Sequence, residues 1–411
     1  MARHRGKPSE SSRPFEAEAV DAVLNVRDAF ARIIEQKCRD SKAVTTLCDA
    51  FGIHRKLAWQ VSKVAYTTDA FAAARHMPTP KSVGVWLEAA RAAGVPSDMV
   101  DAAHKAADRF ESLAESHAAS RAELEMLLES CGAAGDPAPA ERWREQAYTG
   151  NSFVWGAHCK VLLALMVLVP SEDRERSFHI AQVRGLIGFR QTRPGVRWLV
   201  NQSVVADDKA QTSTGIQRVA LDPFAARAHG GVPVLPRFCS NPVPPLERRL
   251  AADGMVHDEF VAGPVGQAGE RTLVTGEVMR NIGSPYATPD DKVAHFGTAV
   301  RIPAERLHLD MFVHHALFGP VHRELRVFSD LASPIAFADA DALPAGEPVT
   351  ALGRGVRLAQ TPDIPAYADL ASSVFAGLRA DPGEFELYRV RMAFPPMPTT
   401  VMFRHDLPPE P

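Results

Sequence analysis

Two groups of side chains in this 411-residue chain have the types and spacing for chemistry. The first is basic and polar: His54, Arg55, Lys56, Gln60 and Lys63, within LCDAFGIHRKLAWQVSKV from Leu47 to Val64. Arginine and lysine hydrogen-bond to guanine edges or to phosphate, and glutamine pairs with adenine. Thr45 and Thr46, just upstream, carry hydroxyls of the kind that contact phosphate. The second group is HLDMFVHHALFGPVH, holding His308, Asp310, His314, His315 and His322. In a strand, His308, Asp310, Phe312 and His314 share one face, and imidazole with carboxylate is a donor set for a transition metal. Large apolar residues separate these groups and no second ligand cluster accompanies them, so imidazoles satisfied in a core or at a strand edge are expected, with no metal and no cofactor.

Other chemistry leaves little trace. No GxSxG elbow, P-loop, GxGxxG after a strand, HExxH or paired CxxC occurs. GRGVRL around Arg354 lacks the longer pattern that cradles phosphate. The acid pairs Asp207–Asp208 and Asp290–Asp291 sit in polar turns, where neighbouring carboxylates are ordinarily just solvated. No catalytic residue is named on these grounds, although site residues can converge from distant positions.

With Gly52 as a turn, the first group acquires a frame. Cys48 is the small residue four positions before it, and Leu47, Phe51, Ile53, Ala58 and Val61 occupy the apolar offsets. Gly52 can take the left-handed backbone conformation of a sharp turn. His54, Arg55, Lys56, Gln60 and Lys63 then lie on the outer face of the second helix. The stretch resembles the helix-turn-helix of bacterial transcription regulators, over about 20 residues. The resemblance implies binding of double-stranded DNA, with the second helix in the major groove. Two positions depart from the pattern: Cys48 stands where alanine is commoner, and Trp59 occupies an offset that normally faces DNA or solvent. The competing reading is a helical hairpin in a small bundle with a solvated basic face. Arg55, Lys56, Lys63, Arg75 and Lys81, with Lys42 at the start of the first helix, favour DNA. Arg3, Arg5 and Lys7 in the tail would add nonspecific affinity.

The elements around these residues predict an α+β chain. Residues 1–14 read as a basic tail with no secretory signal. Residues 15–130 read as helical: Val20, Val23, Val26, Phe30, Ile33 and Ile34 recur at helical spacing, MPTPKS marks a turn, and a helix from Val83 to Ala93 closes at Gly94. A long helix follows from Ser97 to Ser130. Its apolar positions approach a heptad seam that His117 and Arg121 interrupt. It serves either as a homodimerisation helix or as a helix packed on its own domain. Residues 131–150, starting CGAAGDPAPAE, read as a linker. From 151 to 411 short apolar runs alternate with Pro, Gly, Asn and Asp, predicting a mostly antiparallel β-rich region. A helix is expected near Ala371–Ala380 and a strand at GVRLAQ, and the proline-rich stretch at 232–245 is where the region would split.

Composition sets the outer limits. A formal net charge of −3 confines any nucleic-acid contact to a local surface. Five cysteines without CxxC spacing argue against a zinc ribbon or a disulfide framework, and a reducing cytoplasm is the expected setting. The apolar run VLLALMVLV is too short to span ~30 Å of hydrocarbon as a helix, so a buried strand or short core helix is expected and no membrane partner. Two functional readings remain. One is a DNA-binding regulator whose β-rich region senses a ligand, binds a partner or dimerises. The other is an enzyme or ligand-binding protein with its site in the β-rich region.

Overall fold

The computed structural model describes residues 14–38, 43–132, 137–172, 176–204, 217–250, 255–289, 291–331 and 337–410. The tail, Lys42, Asp207, Asp208 and Asp290 lie outside them. The chain forms two compact units, 1–139 and 140–411.

The first unit is helical: α1 (Phe15–Lys37), α2 (Val44–Phe51), α3 (Arg55–Tyr66), α4 (Ala70–Ala74), α5 (Pro80–Ala92), α6 (Ser97–His117) and α7 (Arg121–Gly132). Val23, Val26, Phe30 and Ile33 recur on one face of α1 and are fully buried. Trp86 of α5 anchors the core, edge-on to Phe30 at 6.1 Å and to Phe51 at 4.7 Å. Thr79 caps α5, accepting from Ser82 N, with Pro80 at the first position, where its missing N–H costs nothing.

The expected single helix over 97–130 is two helices. Ser120 Oγ accepts from Glu123 N at 3.2 Å, and the Glu123 carboxylate reaches back to Ala119 N at 2.7 Å. This reciprocal cap starts a new helix at Arg121. Val100, Ala103, Phe110, Leu113, Leu124 and Leu128, the residues of the expected seam, lie in the unit's own core. The expected linker at 131–150 contains the boundary between the two units, and much of it is helical: α7 runs to Gly132, and α8 spans Pro137–Trp155. Its prolines fall in the first turn, where no intrahelical N–H bond is lost, so they begin a helix that the alanine- and glutamate-rich sequence continues.

The second unit is β-rich: β1 (Ala157–Pro170), β2 (Phe178–Gln191), β3 (Trp198–Val204), β4 (Gln217–Ala220), α9 (Pro223–Ala228), β5 (Leu246–Leu250), β6 (Met255–Phe260), β7 (Arg271–Arg280), β8 (Val293–Val300), β9 (Ala304–His314), β10 (Glu324–Ser329), β11 (Ala342–Leu343), β12 (Thr350–Arg354), α10 (Tyr367–Leu378), β13 (Phe385–Ala393) and β14 (Thr399–Asp406). A seven-stranded sheet runs β12-β13-β9-β1-β2-β7-β4, a four-stranded one β11-β10-β14-β8, and a three-stranded one β3-β6-β5. Pairing is antiparallel except between β1 and β9, which run parallel in the middle of the large sheet. The apolar run of the sequence is thus a strand, and no helix among the described residues is long and apolar enough to cross a membrane.

β1 feeds two cores. Leu162, Ala164, Met166 and Leu168 face the small sheet, packing with Phe296 of β8 and Phe403 of β14. Val161, Leu163, Leu165 and Val167 face the other way, against Val374 and Phe375 of α10. The unit is a sandwich with a helix over its outer face. Two local expectations change. GVRLAQ forms a 3-10 turn at Val356–Ala359, since Gly355 at φ 94° breaks the extended chain. The proline-rich 232–245 does not divide the unit but is stitched along β7, through Leu235 N to Val274 O at 2.8 Å and Ser240 N to Thr272 O at 2.9 Å.

Candidate nucleic-acid interface

Gly52 ends α2 at φ 64°, and its N–H donates to Cys48 O at 2.8 Å. A side chain is disfavoured here by backbone conformation, not by crowding, because a Cβ would meet nothing within 4 Å. Three residues, Gly52 to His54, separate α2 from α3, the turn length of a helix-turn-helix. Leu47, Phe51, Ile53, Ala58 and Val61 are all buried, as the offsets require. His54 caps α3, its side chain accepting from Lys56 N at 3.2 Å. This gives it a structural task beyond the exposed role expected of it.

The outer face of α3 holds Arg55, Lys56, Trp59 and Lys63 exposed and Gln60 half-buried. Lys56, Trp59, Gln60 and Lys63 follow the spacing i, i+3, i+4, i+7, a single stripe. α3 has no acidic residue. Thr45 is exposed and Thr46 half-buried in the first turn of α2. Trp59 stays 42% exposed, with its ring edge-on to His76 at 5.0 Å, so it packs beside the Met77 segment without leaving the surface. His76 reports the local field: burial lowers its pKa most, and Lys63 and Arg75 lower it further. Of the wider basic set, Arg75 lies 4.0 Å from Glu129, a contact that partly neutralises it. Lys81 is exposed at the start of α5.

The rear histidines do not converge. His308 and Asp310 share the helix-covered face of β9, fully buried, with His308 Nε2 3.3 Å from Asp310 Oδ1. The Asp310 carboxylate is already taken: Arg389 of β13 grips it through Nε at 2.8 Å and Nη2 at 2.7 Å, and Tyr367 Oη donates at 2.9 Å. Burial pushes the Asp310 carboxyl upward, but Arg389 and His308 outweigh it and hold the pKa below the ordinary value. Burial and Asp310 raise the Tyr367 phenol well above its usual value. Such a group is a fixed donor and no general base. Asp363 in the loop before α10 takes both Arg391 nitrogens, at 2.8 and 2.9 Å. His314 lies 3.3 Å from Glu384, His315 Nδ1 3.2 Å from the Glu384 carbonyl, and His322 is exposed beside Glu324. No group of three or more His, Cys, Asp or Glu among the described residues could hold a metal ion. Sequence reasoning missed Arg389, Tyr367 and Asp363, because Arg389 reaches β9 through strand pairing across 79 residues, and Tyr367 and Asp363 through the packing of α10 and the loop before it.

No family model and no curated protein matches the chain. Among solved structures, a "putative protease" from Parabacteroides distasonis is similar over 61% of this chain, at 10% identity and a TM-score of 0.25. The chain spans 40% of that protein's length. At that score the likeness carries no argument.

Proposed function

We propose that this chain is a DNA-binding regulator, with α3 of the helical unit placed in a major groove and the β-rich unit serving a sensing or partner-binding role. One observation carries the reading. A left-handed glycine joins α2 to α3, every apolar offset of the pair is buried, and Arg55, Lys56, Gln60 and Lys63 are left on the outside. A helical hairpin in a bundle requires the buried half of that pattern but not an acid-free face of base-reading types. Arg55 and Gln60 sit where direct readout is made, in the first turns of the second helix. Lys56 and Lys63 suit phosphate, as do the Thr45 and Thr46 hydroxyls.

The test is retention of genomic DNA fragments by the purified full chain at several salt concentrations, with sequencing of what is retained. Affinity should fall with salt, since neutralised phosphates release counterions. On the preferred fragment, Arg55→Ala or Gln60→Ala should cost about 1–3 kcal/mol and relax the sequence preference. Lys63→Ala should weaken all sequences alike and lower the salt slope by about one. No salt-sensitive affinity at low ionic strength would refute the regulator reading. Binding that these substitutions leave unchanged would refute the assignment of α3.

A further inference from the structure

A cleft of about 480 Å³ opens in the β-rich unit on the face of the large sheet that looks toward the small one. Its walls are mostly apolar, Leu162, Leu186, Trp198 and Leu273 among them. Register places one cation in this wall. Arg184 of β2 pairs with Ala164 of β1 on one side and Thr275 of β7 on the other. Ala164 is the small residue of its row, between Leu162 and Met166 on the same strand face, and it leaves room beside the guanidinium.

Arg184 is exposed to the cleft. Its side chain donates to the amide oxygen of Gln182 at 3.1 Å, and no carboxylate among the described residues lies within ion-pair distance. Several other arginines of this unit are gripped by acids, Arg389 by Asp310, Arg391 by Asp363 and Arg248 by Asp258. Desolvation lowers the pKa of the Arg184 guanidinium, opposed by Glu277 and reinforced by Arg218 and Arg301. It remains accessible from the cleft. Across the cleft, Thr298 of β8 is buried and lines the opposite wall. Arg301 stands at the rim, 3.8 Å from Asp330 and 65% exposed. A guanidinium with free donors, a buried threonine and an apolar wall is the layout of a small-molecule site: apolar body, few convergent polar groups.

We propose that this cleft binds a small amphiphilic carboxylate, its anionic head on Arg184 and Thr298 and its apolar body against Leu186 and Trp198. The guanidinium fork matches a carboxylate bidentately, and charge-assisted bonds of that kind are about twice as strong as neutral ones. The site stands apart from the DNA-binding reading and survives its failure.

Isothermal titration of the full chain with octanoate, octanol, octylammonium and inorganic phosphate tests it. Octanoate should bind saturably with one site. Octanol, which keeps the body and lacks the charge, should bind at least about tenfold more weakly, and octylammonium and phosphate not measurably. Arg184→Met should weaken octanoate by at least about tenfold, and Arg184→Lys should restore part of the loss. Thr298→Val, nearly isosteric, is the second variant should Arg184→Met fail to fold, and it should weaken octanoate several-fold. Octanoate that fails to bind up to its solubility, or binds with equal strength to octanol or to the folded Arg184→Met chain, overturns the proposal.

Discussion

His405 should make the β-rich unit acid-sensitive well above the carboxylate range. It lies on β14, fully buried, stacked on Phe296 at 5.9 Å and edge-on to Phe318 at 4.9 Å. Neither ring nitrogen has a hydrogen-bond partner among the described residues. Burial, then Arg323, Arg404 and His295, lowers its pKa to about 3. In the unfolded chain the value is about 6.5. The folded state therefore resists a proton that the unfolded state accepts, and stability is complete above pH ~6.5 and declines below it. Each pH unit in that window costs about 1.4 kcal/mol, so the unit should lose about 2 kcal/mol between pH 8 and pH 5 from this residue alone. His405→Phe removes the titration, keeps a ring among phenylalanines and leaves no polar partner unsatisfied. Urea unfolding of both chains, followed by circular dichroism at pH 8, 6.5 and 5, isolates the effect, because the difference between chains cancels every other titrating group. The variant should gain about 2 kcal/mol relative to wild type on going from pH 8 to pH 5. Parallel pH profiles for the two chains would refute the reasoning.

Two further outcomes follow from the geometry. Gly52→Val should destabilise the helical unit by about 1–2 kcal/mol or more, and Gly52→Asn by less, because the cost is the left-handed backbone and not a clash. Equal thermal unfolding of all three chains would show that the turn is not left-handed. Asp310→Leu should destabilise the β-rich unit by about 3–5 kcal/mol, since it leaves the Arg389 charge buried with only the Ala359 and Gln360 carbonyls. A urea midpoint within error of wild type would contradict that account.

The helical front and the β-rich rear were legible because periodicity is local. Val23, Val26, Phe30 and Ile33 announce α1 without reference to anything distant. Gly52 and its flanking apolar offsets likewise announce the turn. The break at Ser120 was legible in principle, as Ser-x-x-Glu, but an apolar stripe continuing through it masked the cap. Pro137 and Pro139 suggested a linker because proline breaks a helix interior, and the same residues are favourable in a first turn. Arg184 and the Asp310 network were not legible at all. Which face Arg184 occupies depends on register with β1 and β7, and the partners of Asp310 come from α10 and β13.

The polar and charged residues on β9 and β13 also solve an addressing problem that the apolar residues leave open. β1 is greasy on both faces, so sliding it by one residue exchanges one set of aliphatic side chains for another of similar character. Hydrophobicity alone gives such a strand no parity. Two strands away the situation differs. Arg389 pairs across from Asp310 and Arg391 across from His308, all on the side covered by α10, whereas Val390 and Met392 point at the small sheet. A one-residue slip of β13 would drive two guanidinium groups in among Phe296 and Phe403 and leave Asp310 facing a tyrosine or a valine. The misregistered sheet would thus bury several unpaired charges at once. His308, Asp310, Arg389 and Arg391 act as the ward of a lock, rejecting the out-of-phase sheet that an all-aliphatic centre would admit.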